Sequence, residues 1–159
     1  MTKLVVITHP NEILRKRSDE VDRNFILKED TQNLIKNMIE TMHNDDGVGL
    51  AAPQIGKNIR IVIIGKDANP DKKDLVLINP RWNKLSRKKI VDLEGCLSIP
   101  KTFGKVKRYN KIQVTATNEK GEKIEFEAEK LFARVIQHEV DHLDGVLFID
   151  KARDVYEIE

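Results

Sequence analysis

His138-Glu139-Val140-Asp141-His142 places two imidazoles and a carboxylate within five residues. The surrounding segment, residues 129–143, reads as helix. Positions four apart on a helix differ by about 40° of rotation, so both imidazoles face the same way, one turn apart. Two His so placed can grip one divalent metal, and the adjacent Glu can handle protons for its water. The same five letters also arise on a solvated helix face, so the rest of the chain has to decide. Catalytic tetrahedral sites generally use three protein ligands and a water. The one cysteine, Cys96, is a candidate third ligand and rules out an intramolecular disulfide. A lone Cys is most often a small buried hydrophobe, but in an intracellular enzyme it also serves as nucleophile or ligand. Cys96 with His138 and His142 makes a three-ligand set with one position open, where a metal would bring hydroxide within reach near neutral pH.

A second stretch, Gly47-Val48-Gly49-Leu50-Ala51-Ala52-Pro53-Gln54, is rich in small residues. Such residues let backbone approach another backbone or a ligand closely. Gln54 ends the run with a neutral amide that donates a hydrogen bond without adding charge. By itself the stretch reads equally well as a packing turn.

The elements that must position these groups follow from periodicity. A short N-terminal strand leads into a turn at Thr8-His9-Pro10-Asn11, and residues 11–15 form one helical turn. Asp30 or Thr31 caps a helix running to about His43, with Leu34, Ile35, Met38, Ile39 and Met42 on its buried stripe. Asn44-Asp45-Asp46-Gly47 ends it. Strands are expected at 59–64 and 75–80, the second stopped by Asn79-Pro80, with an exposed strand over 82–91. Residues 111–117 and 122–128 alternate around Asn118-Glu119-Lys120-Gly121 and form a hairpin. Gly145 stops the H-E-x-x-H helix, and 146–149 is a last short strand. Without βαβ alternation, the pattern predicts an α+β fold. Its sheets are largely antiparallel and pack around a central helix carrying H-E-x-x-H.

The chain has 159 residues, 40% hydrophobic and 34% charged, which fits a single catalytic domain spanning 1–159. A net charge of +2 does not favour a nucleic-acid substrate. No apolar run has the length of a membrane span. Residues 1–7 are too short an apolar patch for a secretory signal, so a cytoplasmic location is expected. The basic clusters Arg15-Lys16-Arg17, Arg87-Lys88-Lys89 and residues 105–108 are offset by acidic residues elsewhere and read as solvated surface.

Taken together and in order, Gly-Val-Gly-Leu-Ala-Ala-Pro-Gln, Glu-Gly-Cys-Leu-Ser and Gln-His-Glu-Val-Asp-His-Leu-Asp-Gly resemble the three signature motifs of the peptide deformylase family. His9-Pro10-Asn11-Glu12-Ile13-Leu14-Arg15 is similar to that family's N-terminal segment, so the resemblance spans nearly the whole chain. It implies hydrolysis of the N-formyl group from the formyl-methionine of new peptides, releasing formate. It assigns Cys96, His138 and His142 to the metal, Glu139 to general acid/base work, and the Leu97 backbone N–H and Gln54 amide to the developing oxyanion. It implies Fe²⁺ in the cell, often replaced by zinc or nickel in isolated protein. The donor set itself also suits Zn²⁺, Ni²⁺ or Co²⁺.

A methionine side chain needs an apolar, adaptable pocket. Leu131 and Val135 share the face of His138, and with Val48 and Ile99 they are candidates for it; each is also an ordinary core residue by type. Peptide backbone can add as a strand along residues 47–50, at Gly49. Glu94, Gln137 and Asp141 adjoin ligands and are candidates to orient them, with Arg108 an ion partner for Asp141. Two departures from the family stand out. Many bacterial members carry an Arg where this chain has Phe103, which bears on peptide preference beyond the first residue. Many also continue into a C-terminal helix associated with docking near the ribosomal exit tunnel, whereas this chain stops at Glu159, so that form of docking is not expected here unless a basic surface substitutes; a transient ribosome contact stays open. A metallopeptidase shares H-E-x-x-H but does not usually use a thiolate ligand. A metal-holding protein without activity would not need Glu139 or Gln54.

Overall fold

The computed structural model describes residues 3–159; Met1 and Thr2 of the expected N-terminal strand lie outside the described residues. Three α-helices, α1 (Arg23–Leu27), α2 (Glu29–Asn44) and α3 (Lys130–Leu143), accompany eight strands among the described residues. The strands are β1 (Gly49–Ala51), β2 (Ile61–Ile64), β3 (Leu75–Lys84), β4 (Lys89–Cys96), β5 (Ile99–Tyr109), β6 (Lys111–Thr117), β7 (Lys123–Glu129) and β8 (Arg153–Glu157). They form a five-stranded sheet, β1-β2-β3-β6-β7, and a three-stranded sheet, β4-β5-β8, antiparallel at every pairing. The fold is α+β, as the element pattern predicts.

The larger sheet is covered on both faces. Ile61 and Ile63 of β2 pack with Ile35, Met38 and Met42 of α2. Val62 and Ile64 pack with Ala133, Ile136 and Val140 of α3. Burial on both sides explains why β2 is a continuous apolar run rather than an alternating one. Eleven of the 14 residues of α3 are buried, so it is the central helix of the fold. A third cluster, Leu14, Ile99, Val106, Leu147 and Phe148, joins the smaller sheet to the 3₁₀ turns at Glu12–Arg15 and Phe148–Asp150.

Several elements differ from the sequence expectation. Residues 3–8 join no strand ladder. A short helix, α1, capped by the Asp22 side chain on the Phe25 N–H, precedes α2, and α2 starts at Glu29 without a side-chain cap from Asp30 or Thr31. β3 runs on through Pro80, because the ladder shifts register between Ile78 and Arg81 and the bulge absorbs the missing N–H. The expected exposed strand at 82–91 is therefore two pieces, the end of β3 and the start of β4. The cluster at 105–108 is not all solvated: it lies in β5, and Arg108 is buried. Residues 146–149 run into a 3₁₀ turn, and the last strand is β8 further on. Gly145 ends α3 with φ 75°, a left-handed conformation that glycine adopts without strain.

Candidate active site

Two elements distant in sequence build the site. α3 carries His138 and His142 on its buried face. β4 carries Cys96 at its last position, where the β4–β5 register shifts past Glu94 and Cys96 pairs with Ile99. His142 Nε2 lies 3.3 Å from Cys96 Sγ. The donor atoms of Cys96, His138 and His142 all fall within 4.8 Å of one another. A separation near 3.3 Å is what two donors at about 2.0–2.3 Å from one tetrahedral ion show.

The surroundings fit a cation. His138 Nδ1 is taken up by Glu94 Oε1 at 2.9 Å, which turns Nε2 toward the cluster. Burial pushes the His138 pKa down, but Glu139, Cys96 and Glu94 outweigh it and hold the imidazole well above its ordinary value. Negative charge that retains a proton there favours a metal ion equally. Burial drives His142 well below the ordinary value, aided by the charge on His138 and Arg108. A neutral imidazole is the form that binds metal.

Glu94 is the centre of a buried ion network. Arg108 Nε and Nη2 reach its oxygens at 2.7 and 2.9 Å, and Arg134 Nη1 at 2.5 Å. Burial raises the Glu94 carboxyl, yet the bonds from His138 and Arg108 hold it well below the usual carboxylate range. Arg108 also donates to Asp141 at 2.9 Å, and Lys151 lies 3.0 Å from the same Asp141 oxygen. Arg134 further donates to the carbonyls of Val106 and Ile90. Sequence reasoning missed Arg134; its place four residues before His138, on the same helix face, was the available signal.

Glu139 is 3% exposed. Its Oε2 is 4.0 Å from His138 Nε2, and its Oε1 has no hydrogen-bond partner among the described residues. Burial pushes its pKa up to about 7, with His138 opposing the rise. Its carboxylate lies against Gly49, where an added Cβ would stand 2.6 Å from Oε2. Gly49 thus leaves room for the carboxylate itself.

A cleft of about 470 Å³ opens over these groups, within the ordinary range for a small-ligand pocket. Val48, Gly49, Leu97, Ile99, Leu131 and Val135 line it. Val135 is buried, while Val48 and Leu131 are exposed at the mouth. Gln54 also lines it and is 1% exposed. Its Nε2 donates to Ser98 Oγ at 3.0 Å and lies 3.5 Å from Cys96 Sγ, and its Oε1 accepts from the Ala51 N–H. Ser98, fully buried, closes the Glu-Gly-Cys-Leu-Ser motif, but the sequence assigns it no role. Gln137 is not brought to the site: its amide clamps the Tyr109 N–H and carbonyl and the Ala133 carbonyl. Helix rotation explains this, since neighbours in sequence lie about 100° apart around the axis.

A cysteine sulfur at the end of β4 and two imidazoles on a buried helix, with a carboxylate beside them in a cleft, define a class, the metal-dependent hydrolases. The family model for polypeptide deformylase matches residues 3–157. Peptide deformylase 1 of Clostridium acetobutylicum is 51% identical over 141 residues, covering 89% of each chain. Peptide deformylase of Thermodesulfovibrio yellowstonii is 42% identical over 154 residues, covering 95% of this chain and 90% of its own. The crystal structure of peptide deformylase from Thermotoga maritima superposes with a TM-score of 0.88 at 37% identity, covering 96% of this chain and 99% of that one. The chain belongs to the polypeptide deformylase family. It is a metal-dependent hydrolase that removes the N-formyl group from nascent peptides.

Proposed function

We propose that Cys96, His138 and His142 hold one divalent metal per chain, that Glu139 carries the proton, and that the substrate is the N-terminal formyl-methionine. The observation that supports this best is the buried Glu139 carboxylate, unpaired at Oε1, beside three converging soft and borderline donors. A metal held by these donors would supply Lewis acidity and a water made nucleophilic near neutral pH. Glu139 takes a proton as the water oxygen adds to the formyl carbon. The Gln54 amide and the Leu97 N–H are the donors for the oxygen that gains negative charge. As the C–N bond breaks, Glu139 returns the proton to the departing nitrogen, leaving formate and a free amine.

The methionine side chain enters the apolar part of the cleft at Val48, Leu131 and Val135, and its backbone adds along Gly49. Glu94, Arg108, Arg134 and Asp141 orient His138 and β4. The donor set suits Fe²⁺, Zn²⁺, Ni²⁺ or Co²⁺, and Fe²⁺ is our choice for the cell. The 159 residues act as one catalytic domain, since α3 packs on the larger sheet and Arg134 ties it to the smaller. Among the described residues no helix is long and apolar enough to cross a membrane. A role on nascent chains fits a cytoplasmic location with transient ribosome contact. The test is anaerobic turnover by Fe²⁺-loaded protein. Formate should appear from formyl-Met-Ala-Ser, and no peptide-bond cleavage from the unformylated peptide; the reverse pattern would overturn the proposal.

A further inference from the structure

We infer that Phe103, held in place by Tyr156, gives this enzyme a preference for apolar side chains in the residues that follow formyl-methionine. The inference rests on the reading above, which places the formyl group at Cys96, His138 and His142.

Phe103 and Leu93 both line the cleft. Gly95 is the residue before Cys96, and the Phe103 ring lies on it. A Cβ added at Gly95 would stand 2.8 Å from Cε1 of the ring and 2.9 Å from Cδ1. The ring is therefore one residue, about 3.8 Å of backbone, from a proposed metal ligand. Leu93 points to the same side of β4 as Gly95 and is 46% exposed. Together they make the β4–β5 wall of the cleft apolar just beyond the reaction centre.

The wall is held from outside the site. Phe103 pairs with Tyr156 across β5 and β8, and their rings stand 5.8 Å apart at 32°, within the range of attractive aromatic pairs. Tyr156 does not line the cleft, so it is a positioning residue that acts through Phe103. A peptide leaving the site advances about 3.3–3.6 Å per residue in extended form. It passes between residues 47–49 and the β4–β5 wall. Side chains alternate along it, so one of the two residues after methionine faces Phe103. The basic charge that competes is Lys101, which lines the same cleft from β5 and is exposed, while the exposed Asp46 lines it from the other side with the opposite sign. Lys101 would favour an acidic residue instead.

The test compares kcat/KM for formyl-Met-Phe-Ser against formyl-Met-Glu-Ser, and for formyl-Met-Ala-Phe against formyl-Met-Ala-Glu. Metal-loaded wild type is expected to favour Phe by about tenfold at one of the two positions, the reach of a few apolar contacts. Phe103→Ala should bring that ratio close to one, Tyr156→Ala should lower it, and Tyr156→Phe should restore it. A general loss of folding slows every peptide alike and leaves the ratio unmoved. A flat ratio in wild type, a ratio favouring Glu, or a preference that survives Phe103→Ala would overturn the inference. Formate release from formyl-Met-Ala-Ser reports on the site itself: a flat ratio while that peptide turns over sinks this inference alone, and its failure in wild type sinks both.

Discussion

Glu139 sits against Gly49 with one oxygen unpaired, and burial pushes its pKa up from 4.5 to about 7. If it is the proton carrier, Glu139→Gln keeps its size but not its basicity. Metal content should then persist while kcat falls by at least about 10²-fold. Cys96→Ala, His138→Ala and His142→Ala should instead lose metal, which elemental analysis of the purified variants reads directly. Gly49→Ala makes a third pattern: the new methyl meets the Glu139 carboxylate, so activity should drop with metal retained. Full activity in Gly49→Ala would show that Glu139 can shift without consequence. The metal-free site should also hold protons near neutrality, on Glu139 at about 7 and on His138, whose pKa is raised. Metal must displace the proton on the ligand His138, so affinity should fall as pH is lowered; a chelator competition series from pH 8 to 5.5 checks the sign. Cys96 is half-buried and, as a ligand, would stand beside the open position of a bound metal. The iron form should lose activity in air with oxygen added to that sulfur by mass spectrometry, and a nickel form should last longer. Equal decay of both would point to unfolding.

At the scale of elements, the Glu94 network is the joint between the sheets. Arg108 from β5 and Arg134 and His138 from α3 all meet the β4 carboxylate. Glu94→Gln leaves the buried Arg134 without its charge partner and Arg108 with Asp141 alone. The expected cost is about 3–5 kcal/mol of unfolding free energy by urea titration, together with metal affinity weakened about 10–100-fold through His138. The sign with pH follows from the lowered Glu94 pKa. Its stabilisation is present above the unfolded carboxylate value of about 4.3 and is lost only as pH falls below that. Wild type should therefore lose more stability in acid than Glu94→Gln does.

At the scale of the molecule, the proposed metal would bind the end of β4 in one sheet and the helix that covers the other. Binding to the folded chain alone stabilises it by mass action, about 2.7 kcal/mol at a metal concentration 100 times Kd. Chelation should accordingly lower Tm, and Cys96→Ala should show the low Tm with no further response to chelator. A Tm indifferent to metal in wild type would mean that the donors do not act together.

Much of this was readable from residues near one another in the chain. The turn spacing of His138 and His142, the stripe of α2 and the β6–β7 hairpin around Asn118-Glu119-Lys120-Gly121 are local periodicities, and local backbone geometry expresses them directly. The pairing of Arg108 with Asp141 was legible as charge complementarity. What periodicity does not carry is which face meets which. It could not show that Cys96, 46 residues before His142, ends 3.3 Å from it, because that distance depends on how two sheets pack around α3. It read Asn79-Pro80 as a stop, since a proline removes a ladder bond, but the β6 partner tolerates it through a bulge. It missed β8, whose exposed residues form a strand only because β5 offers an edge. Gln137 looked like a neighbour of the site by sequence and is turned to Tyr109 by one step of helix rotation. Residue type and spacing determined the chemistry this chain can do; the packing of β4 against α3 decided where the donors meet, because contacts between distant segments exist only in the folded chain.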